Sequence, residues 1–147
     1  MSKIQRIAPH AARLVLGLLF TVFGLNGFLH FIPNPPVPEA AGSFLGALAA
    51  TGYMFPLIKG TEVVAGLALL SNRFVPLALI ALSPIVVNIF AFHTLLAPAP
   101  IGVVLVLLTG YLGYAYRSHF AALFAARAQP EPSSSASALR QRLADAE

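Results

Sequence analysis

Six polar side chains that could do chemistry lie within long apolar stretches of this sequence. They are Asn26, His30, Lys59, Glu62, Asn88 and His93. Ionisable groups inside a membrane-spanning helix cost about 2.5–3.5 kcal/mol on insertion scales, so they usually face other helices and pair with a partner. His30, Glu62 and His93 are the candidate catalytic groups, because histidine exchanges protons near neutral pH and a buried acid can be tuned by a neighbouring lysine. All six residues are candidate ligand-binding groups.

The spacing of these residues predicts which of them share a helix face. Asn26 and His30 are four residues apart, and Lys59 and Glu62 are three apart. Residues at these spacings are neighbours on one side of a helix. Asn88 and His93 are five apart, so they should point about 140° away from each other at 100° per residue.

The three helices that carry these residues should place them at similar depths. At a rise of 1.5 Å per residue, the six groups lie about 2–12 Å below the outer ends of their helices. We therefore predict one polar site in the outer half of a bundle. Simpler roles stay open: an intrahelical ion pair for Lys59 and Glu62, a solvated helix end for His30, and helix–helix contacts for Asn26 and Asn88.

The composition indicates a membrane protein that must position these groups. The 147 residues are 58% hydrophobic and 10% charged, and the mean hydropathy is +0.81. A soluble domain carries about 25% charged residues. We predict an all-α, polytopic membrane protein, a four-helix bundle with spans at about 11–31, 55–70, 74–96 and 101–116. The alternative for the first segment is a cleaved signal peptide.

The connections between the spans complete the predicted domain organisation. Four prolines between positions 33 and 38 end the first helix. The apolar run from Gly42 to Gly52 is too short to span and predicts an interfacial or re-entrant helix. Residues 1–10 are a predicted cytoplasmic N-terminus, residues 11–127 the transmembrane domain, and residues 128–147, rich in serine and proline, a disordered cytoplasmic tail.

The basic residues predict the orientation and argue against nucleic acid as a partner. The net charge is +4, but most of the lysines and arginines flank apolar segments rather than forming one basic stripe. Six of the nine are such flanking residues, and the four-span topology puts all six on one side: Lys3, Arg6, Arg13, Arg73, Arg117 and Arg127. The positive-inside rule makes that side cytoplasmic, so both termini are predicted inside a cell (inner) membrane.

Two motifs resemble a known family. The run Phe23-Gly24-Leu25-Asn26-Gly27-Phe28-Leu29-His30 resembles the first span of DoxX/DoxD-like membrane proteins, and Lys59-Gly60-Thr61-Glu62 with Gly66 is similar to their second-span signature. Asn88 and His93 stand where that family often has polar residues. The resemblance covers about residues 11–120 and implies four transmembrane helices. It also implies a link to quinone-dependent oxidoreduction in some members and to membrane oxidoreductase complexes with soluble partners in others.

Several functions stay open at this point. The resemblance favours an auxiliary subunit of a quinone-linked oxidoreductase complex, which would have a soluble or membrane partner and no cofactor of its own beyond a bound quinone. A scaffold or assembly protein without chemistry, a small proton-coupled transporter and a bis-histidine haem site at His30 and His93 are the alternatives. A homo-oligomer also stays open. The sequence has no cysteine, so no thiolate metal site is expected and any thiol step would belong to a partner.

Overall fold

The computed structural model describes residues 3–33, 35–127 and 142–145, and this part of the chain is helical without strands. The helices are α1 (Lys3–Leu29), α2 (Glu39–Ala50), α3 (Met54–Leu70), α4 (Val75–Leu95) and α5 (Ile101–Ala115), followed by a 3₁₀ helix at Arg117–Phe124. The all-α prediction is confirmed for these residues. The predicted tail falls outside the described residues, apart from 142–145.

The helices agree closely with three of the predicted spans and differ at the first. α3, α4 and α5 begin and end within one residue of the predicted bounds. α1 begins at Lys3 and passes through Pro9, so most of the predicted N-terminal segment belongs to this helix. The prediction at about residue 11 marked the start of the apolar span, whereas the helix that contains this span begins earlier, at Lys3.

Two helical stretches are long and apolar enough to cross a membrane. They are Ile7–Leu29 in α1 and Val75–Leu95 in α4. α2 and α3 meet at a bend of 92°, and α5 and the 3₁₀ helix meet at 82°. Counting each bent pair as one broken span gives up to four spans. Length and composition thus suggest a membrane protein.

Helices α1, α3, α4 and α5 pack antiparallel to their neighbours. Gly17 in α1 lies against Gly66 and Leu69 in α3, whereas Gly27 lies against Lys59, nearer the start of α3. We call the end of the bundle that holds the start of α1 and the 71–74 turn the lower end. The upper end holds α2, the start of α3 and the 96–100 turn. The predicted short helix between the first two spans is confirmed as α2, with its bounds shifted to Glu39–Ala50.

The lower half of the bundle is filled with leucine. Leu16, Leu69, Leu82 and Leu112 come from four different helices, and all are fully buried. They belong to one continuous hydrophobic cluster. Close packing of this kind leaves few voids between these side chains. A shallow apolar groove between α3 and α4 runs down to Phe74 at the lower end.

Pro84 lies inside α4 without interrupting it. A proline has no N–H, so it cannot donate to the carbonyl four residues earlier, here that of Ile80. The hydroxyl of Ser83 donates to this carbonyl at 2.8 Å. The neighbouring side chain thus supplies the hydrogen bond that the proline removes, as an apolar surrounding requires.

Candidate functional site

A partly open cavity of about 650 Å³ lies in the upper half of the bundle, with walls from all five α-helices. Its aromatic lining residues are Phe20, Phe23, Phe44, Phe55 and Phe92. Its charged and strongly polar lining residues are Lys59, Glu62, Asn88 and His93. The structure therefore brings together four of the six residues that the sequence singled out, in the upper half of the bundle.

Lys59 and Glu62 form an ion pair on one face of α3. The Lys59 ammonium donates to Glu62 Oε2 at 2.8 Å, which confirms the pair that the spacing predicted. The Glu62 side chain is 3% exposed and the Lys59 side chain 20%. The Lys59 nitrogen also lies 5.8 Å from the centroid of the Phe55 ring, within the range of a cation–π contact.

The close approach of α1 shapes the position of this pair. A Cβ atom on Gly27 would lie 2.5 Å from Lys59 Cγ, and one on Gly24 would lie 3.1 Å from Glu62 Cβ. Glycine at these positions lets α1 pack directly over both side chains.

Asn88 and His93 line the cavity from α4. The sequence predicted that they diverge, yet both contribute to the lining, because the cavity borders α4 on the side of α3 and also on the side of α5. His93 Nδ1 lies 2.9 Å from the carbonyl oxygen of Ile89. The His93 ring meets the Phe92 ring edge-on, with 5.1 Å between ring centroids.

The Asn26 side chain binds backbone atoms and does not line the cavity. Its side chain is buried. Oδ1 accepts a hydrogen bond from the Ile32 N–H at 2.6 Å, and Nδ2 donates to the Ile32 carbonyl at 3.3 Å. Asn26 therefore fixes the path of the chain where it leaves α1. A direct role in ligand binding stays a prediction for this residue.

His30 lies beyond the helix that was expected to carry it. α1 ends at Leu29, and His30 has a left-handed backbone with φ of 52° and an exposed side chain. The expected helix face shared with Asn26 is therefore wrong at His30. His30 is not among the residues that line the cavity, so its role in binding or catalysis stays a prediction.

Arg13 is a buried polar group that the sequence analysis treated only as a flanking charge. Its side chain is 7% exposed. Nη1 donates to the carbonyl of Leu69 and, at 3.3 Å, to that of Leu70. These carbonyls belong to the last turn of α3, where a cation is favourable. The signal that could have identified it is the helical sequence before Arg13, which places this arginine in the interior of α1.

Within the described residues, no group of three or more histidine, cysteine, aspartate or glutamate side chains lies close enough to hold a metal ion. The arrangement instead offers an aromatic chamber with one ion pair, one amide and one imidazole. Such a chamber suits a largely apolar small molecule with a few polar atoms.

Comparison with known proteins gives no match to a family model, to a curated protein or to a solved structure. The resemblance to DoxX/DoxD-like proteins therefore rests on the motif residues alone.

Proposed function

We propose that this chain is a four-span protein of the cell (inner) membrane that binds a quinone or its reduced form in the upper cavity. It would do so as an auxiliary subunit of a quinone-linked oxidoreductase complex. The observation that carries the proposal is the composition of one cavity: aromatic walls, with Lys59, Glu62, Asn88 and His93 as its charged and strongly polar lining. The oxidoreductase partner rests on the DoxX/DoxD-like resemblance.

The dimensions and walls of the cavity support a ring-shaped, lipid-soluble ligand. Small-molecule sites usually enclose about 300–1,000 Å³ and are mostly apolar, with a few polar groups that fix orientation. At about 650 Å³, the cavity accommodates a substituted ring and the first part of an alkyl tail. Phe44 and Phe92 approach to 5.9 Å between ring centroids, which supplies aromatic surface for packing against a ring.

The distribution of basic residues supports the proposed orientation. Arg73 follows α3 and Arg117 follows α5, both at the lower end, whereas the upper connections at 32–53 and 96–100 contain no lysine or arginine. The lower end would therefore be cytoplasmic. The cavity would then lie in the outer half of the bilayer.

The packing of the lower half favours a binding protein over the alternative of a transporter. Proton and substrate pathways need polar groups or water along their length. The four buried leucines of the lower half belong to one hydrophobic cluster and offer no polar group to such a pathway. A ligand could enter and leave on the upper side without crossing the bundle.

A cavity-filling substitution tests the binding site directly. The full chain in lipid nanodiscs is mixed with a decyl-substituted 1,4-benzoquinone, and the bound quinone is counted by native mass spectrometry. Ile85 lines the cavity, whereas Val87 on the same helix is 64% exposed on the outside. We expect Ile85→Trp to abolish binding because the indole occupies the space of the ring, and Val87→Trp to bind like the wild type.

The outcome separates the proposal from its alternatives. Equal binding by both variants would move the ligand elsewhere on the protein. No binding by the wild type would remove the quinone site and leave the scaffold alternative.

A pair of polar substitutions tests the function in cells. Glu62 lines the cavity, whereas Glu39 is exposed at the start of α2 and does not line it. We expect Glu62→Gln to reduce quinone-dependent respiration and Glu39→Gln to leave it unchanged. Membrane levels of both variants, measured by immunoblot, serve as the control for insertion. Unchanged respiration in the Glu62→Gln strain would contradict the redox role.

A further inference from the structure

We propose that the cavity selects the hydroxyl-bearing, reduced form of its ligand, a hydroquinone, over the quinone. This inference rests on the proposed function and concerns the same cavity. It follows from the hydrogen-bonding capacity that Glu62 and His93 leave unused.

The hydrogen bond at Nδ1 fixes what His93 offers to a ligand. A backbone carbonyl can only accept, so the 2.9 Å contact with the Ile89 oxygen requires a proton on Nδ1. In the neutral imidazole, the other nitrogen, Nε2, then has a lone pair and no proton. In this tautomer Nε2 accepts hydrogen bonds and does not donate them.

Glu62 leaves a second acceptor without a partner. Lys59 binds Oε2, and Oε1 makes no hydrogen bond within the described residues. Two side-chain atoms in this part of the chain are buried from solvent and have no hydrogen-bond partner, Arg13 Nε and Thr109 Oγ1. Glu62 Oε1 and His93 Nε2 are not among them, and both residues line the cavity. Each acceptor is therefore accessible to a molecule in it.

Two open acceptors discriminate between the two redox forms. A quinone carbonyl can accept from Lys59 or Asn88, but it has nothing to donate and would bring its own lone pairs towards a carboxylate and an imidazole nitrogen. A hydroquinone oxygen both donates and accepts, so one ring can satisfy the acceptors and the donors together. Sites that bind a hydroxyl reject analogues without it because their own polar groups stay unpaired.

The expected preference is large enough to measure. Leaving a buried acceptor unsatisfied weakens binding by roughly a factor of ten or more per group. We therefore expect the hydroquinone to bind at least about tenfold tighter than the quinone.

Three ligands of almost the same shape isolate the hydroxyl protons. They are a decyl-substituted 1,4-hydroquinone, the corresponding quinone and the hydroquinone dimethyl ether, which keeps the ring and both oxygens but has no proton to donate. Their dissociation constants are measured under anaerobic conditions with the full chain in nanodiscs. We expect the hydroquinone to bind tightest, and the quinone and the ether to bind alike and more weakly.

Variants of His93 assign the effect to one acceptor. His93→Phe keeps an aromatic ring beside Phe92 but removes the acceptor, so we expect it to reduce the preference for the hydroquinone about tenfold while quinone binding persists. His93→Gln retains an acceptor oxygen and should retain part of the preference. The matched control is His119→Phe on the 3₁₀ helix, an exposed histidine outside the cavity, which should behave like the wild type.

The possible failures are distinguishable. Equal or tighter binding of the quinone or the ether by the wild type would overturn the selectivity while the cavity remained a quinone site. An unchanged preference in both His93 variants would overturn the assignment to this residue. No binding of any of the three ligands would overturn the proposed function and this inference with it.

Discussion

The ion pair between Lys59 and Glu62 places two charges where water is scarce. Glu62 is almost fully buried, whereas Lys59 keeps a fifth of its side chain exposed. A buried pair is weak evidence for stability, because taking both charges out of water offsets much of their attraction. Removing only one partner is costly, since it leaves a buried charge without compensation. The pair should therefore respond to substitution as a unit.

A double-mutant cycle tests this coupling. Lys59→Met should reduce the free energy of unfolding by up to about 3 kcal/mol, because Glu62 then lacks its partner. Lys59→Met combined with Glu62→Gln should recover much of the loss, since the neutral amide is easier to bury. The free energies of unfolding of both variants are obtained from thermal unfolding in detergent, monitored by circular dichroism. Additive effects of the two substitutions would show that the side chains do not interact.

A second prediction concerns the hydrogen bonds that Arg13 donates to α3. Its guanidinium binds the carbonyl oxygens of Leu69 and Leu70 at the end of α3. A hydrogen bond to a charged group contributes about 1.5–3 kcal/mol. Arg13→Leu should therefore lower the free energy of unfolding by that amount, which thermal unfolding measures. Arg73→Leu is the control, because Arg73 is exposed in the adjacent turn. Equal stability of the two variants would mean that Arg13 does not hold α1 to α3.

Helices α1 and α3 are held together by small residues along their contact. A Cβ atom on Gly66 would lie 2.5 Å from Thr21 Oγ1 and 2.9 Å from the Gly17 carbonyl oxygen. Gly17 and Gly24 face α3 in the same way. In an apolar solvent, helix association depends on such close packing because burial of apolar side chains adds little. This contact fixes the Lys59–Glu62 face of α3 against α1.

One glycine substitution tests this contact. Gly66→Ala should destabilise the protein by about 1–3 kcal/mol, because backbone atoms of α1 must move away from the added methyl group. Gly110→Ala is the matched control, since a Cβ atom there would meet nothing within 4 Å. In that open helical position alanine should be neutral or stabilise by about 0.5–1 kcal/mol. Unfolding temperatures are measured for both variants. Equal shifts would contradict the close contact between α1 and α3 at Gly66.

The apolar pattern predicted the elements better than it predicted the site. It located α3, α4 and α5 to within one residue, because hydrocarbon thickness and turn residues such as Asn72 and Pro98 limit a span at both ends. It also found Lys59 and Glu62, since i, i+3 spacing has one geometric meaning on a helix. Each of these inferences depends on residues close together in sequence.

The features that the sequence did not predict depend on the packed structure, in which residues far apart in the sequence meet. His30 was placed on a helix face, but the helix ends one residue earlier in a left-handed turn. Phe44 and Leu105 line the cavity, although as apolar residues they look like any others in their helices. Arg13 was assigned to a flank because hydropathy cannot show that a helix continues through Lys3–His10. Only the packed structure identifies these neighbours.

The proposed placement of the whole bundle in the membrane predicts the position of the 3₁₀ helix. This helix bends sharply away from α5, and Leu123 and Phe124 on it are 64% and 84% exposed. If α5 alone forms the fourth span, this helix would lie outside that span at the cytoplasmic interface, where amphipathic segments insert their apolar side chains. The sequence contains no tryptophan, so one introduced indole reports its own surroundings.

Single-tryptophan variants locate this helix in liposomes. Phe124→Trp should show blue-shifted emission that is quenched most by lipids brominated near the headgroup. Leu107→Trp is the control in the middle of α5, where the side chain is 66% exposed on the outside. It should be quenched most by lipids brominated deep in the chain. Emission from Phe124→Trp as in water would contradict the interfacial position.

The upper cavity is the proposed binding site for a quinone-type ring. Phe44 lines that cavity, whereas Phe28 in α1 is 47% exposed and lines neither this cavity nor the groove between α3 and α4. Quenching of tryptophan emission by the decyl-substituted benzoquinone is measured for Phe44→Trp and Phe28→Trp in the same liposomes. We expect saturable quenching of Phe44→Trp at low quinone concentration, and only the gradual quenching by membrane-dissolved quinone for Phe28→Trp. Equal, non-saturating curves for both variants would contradict the proposal.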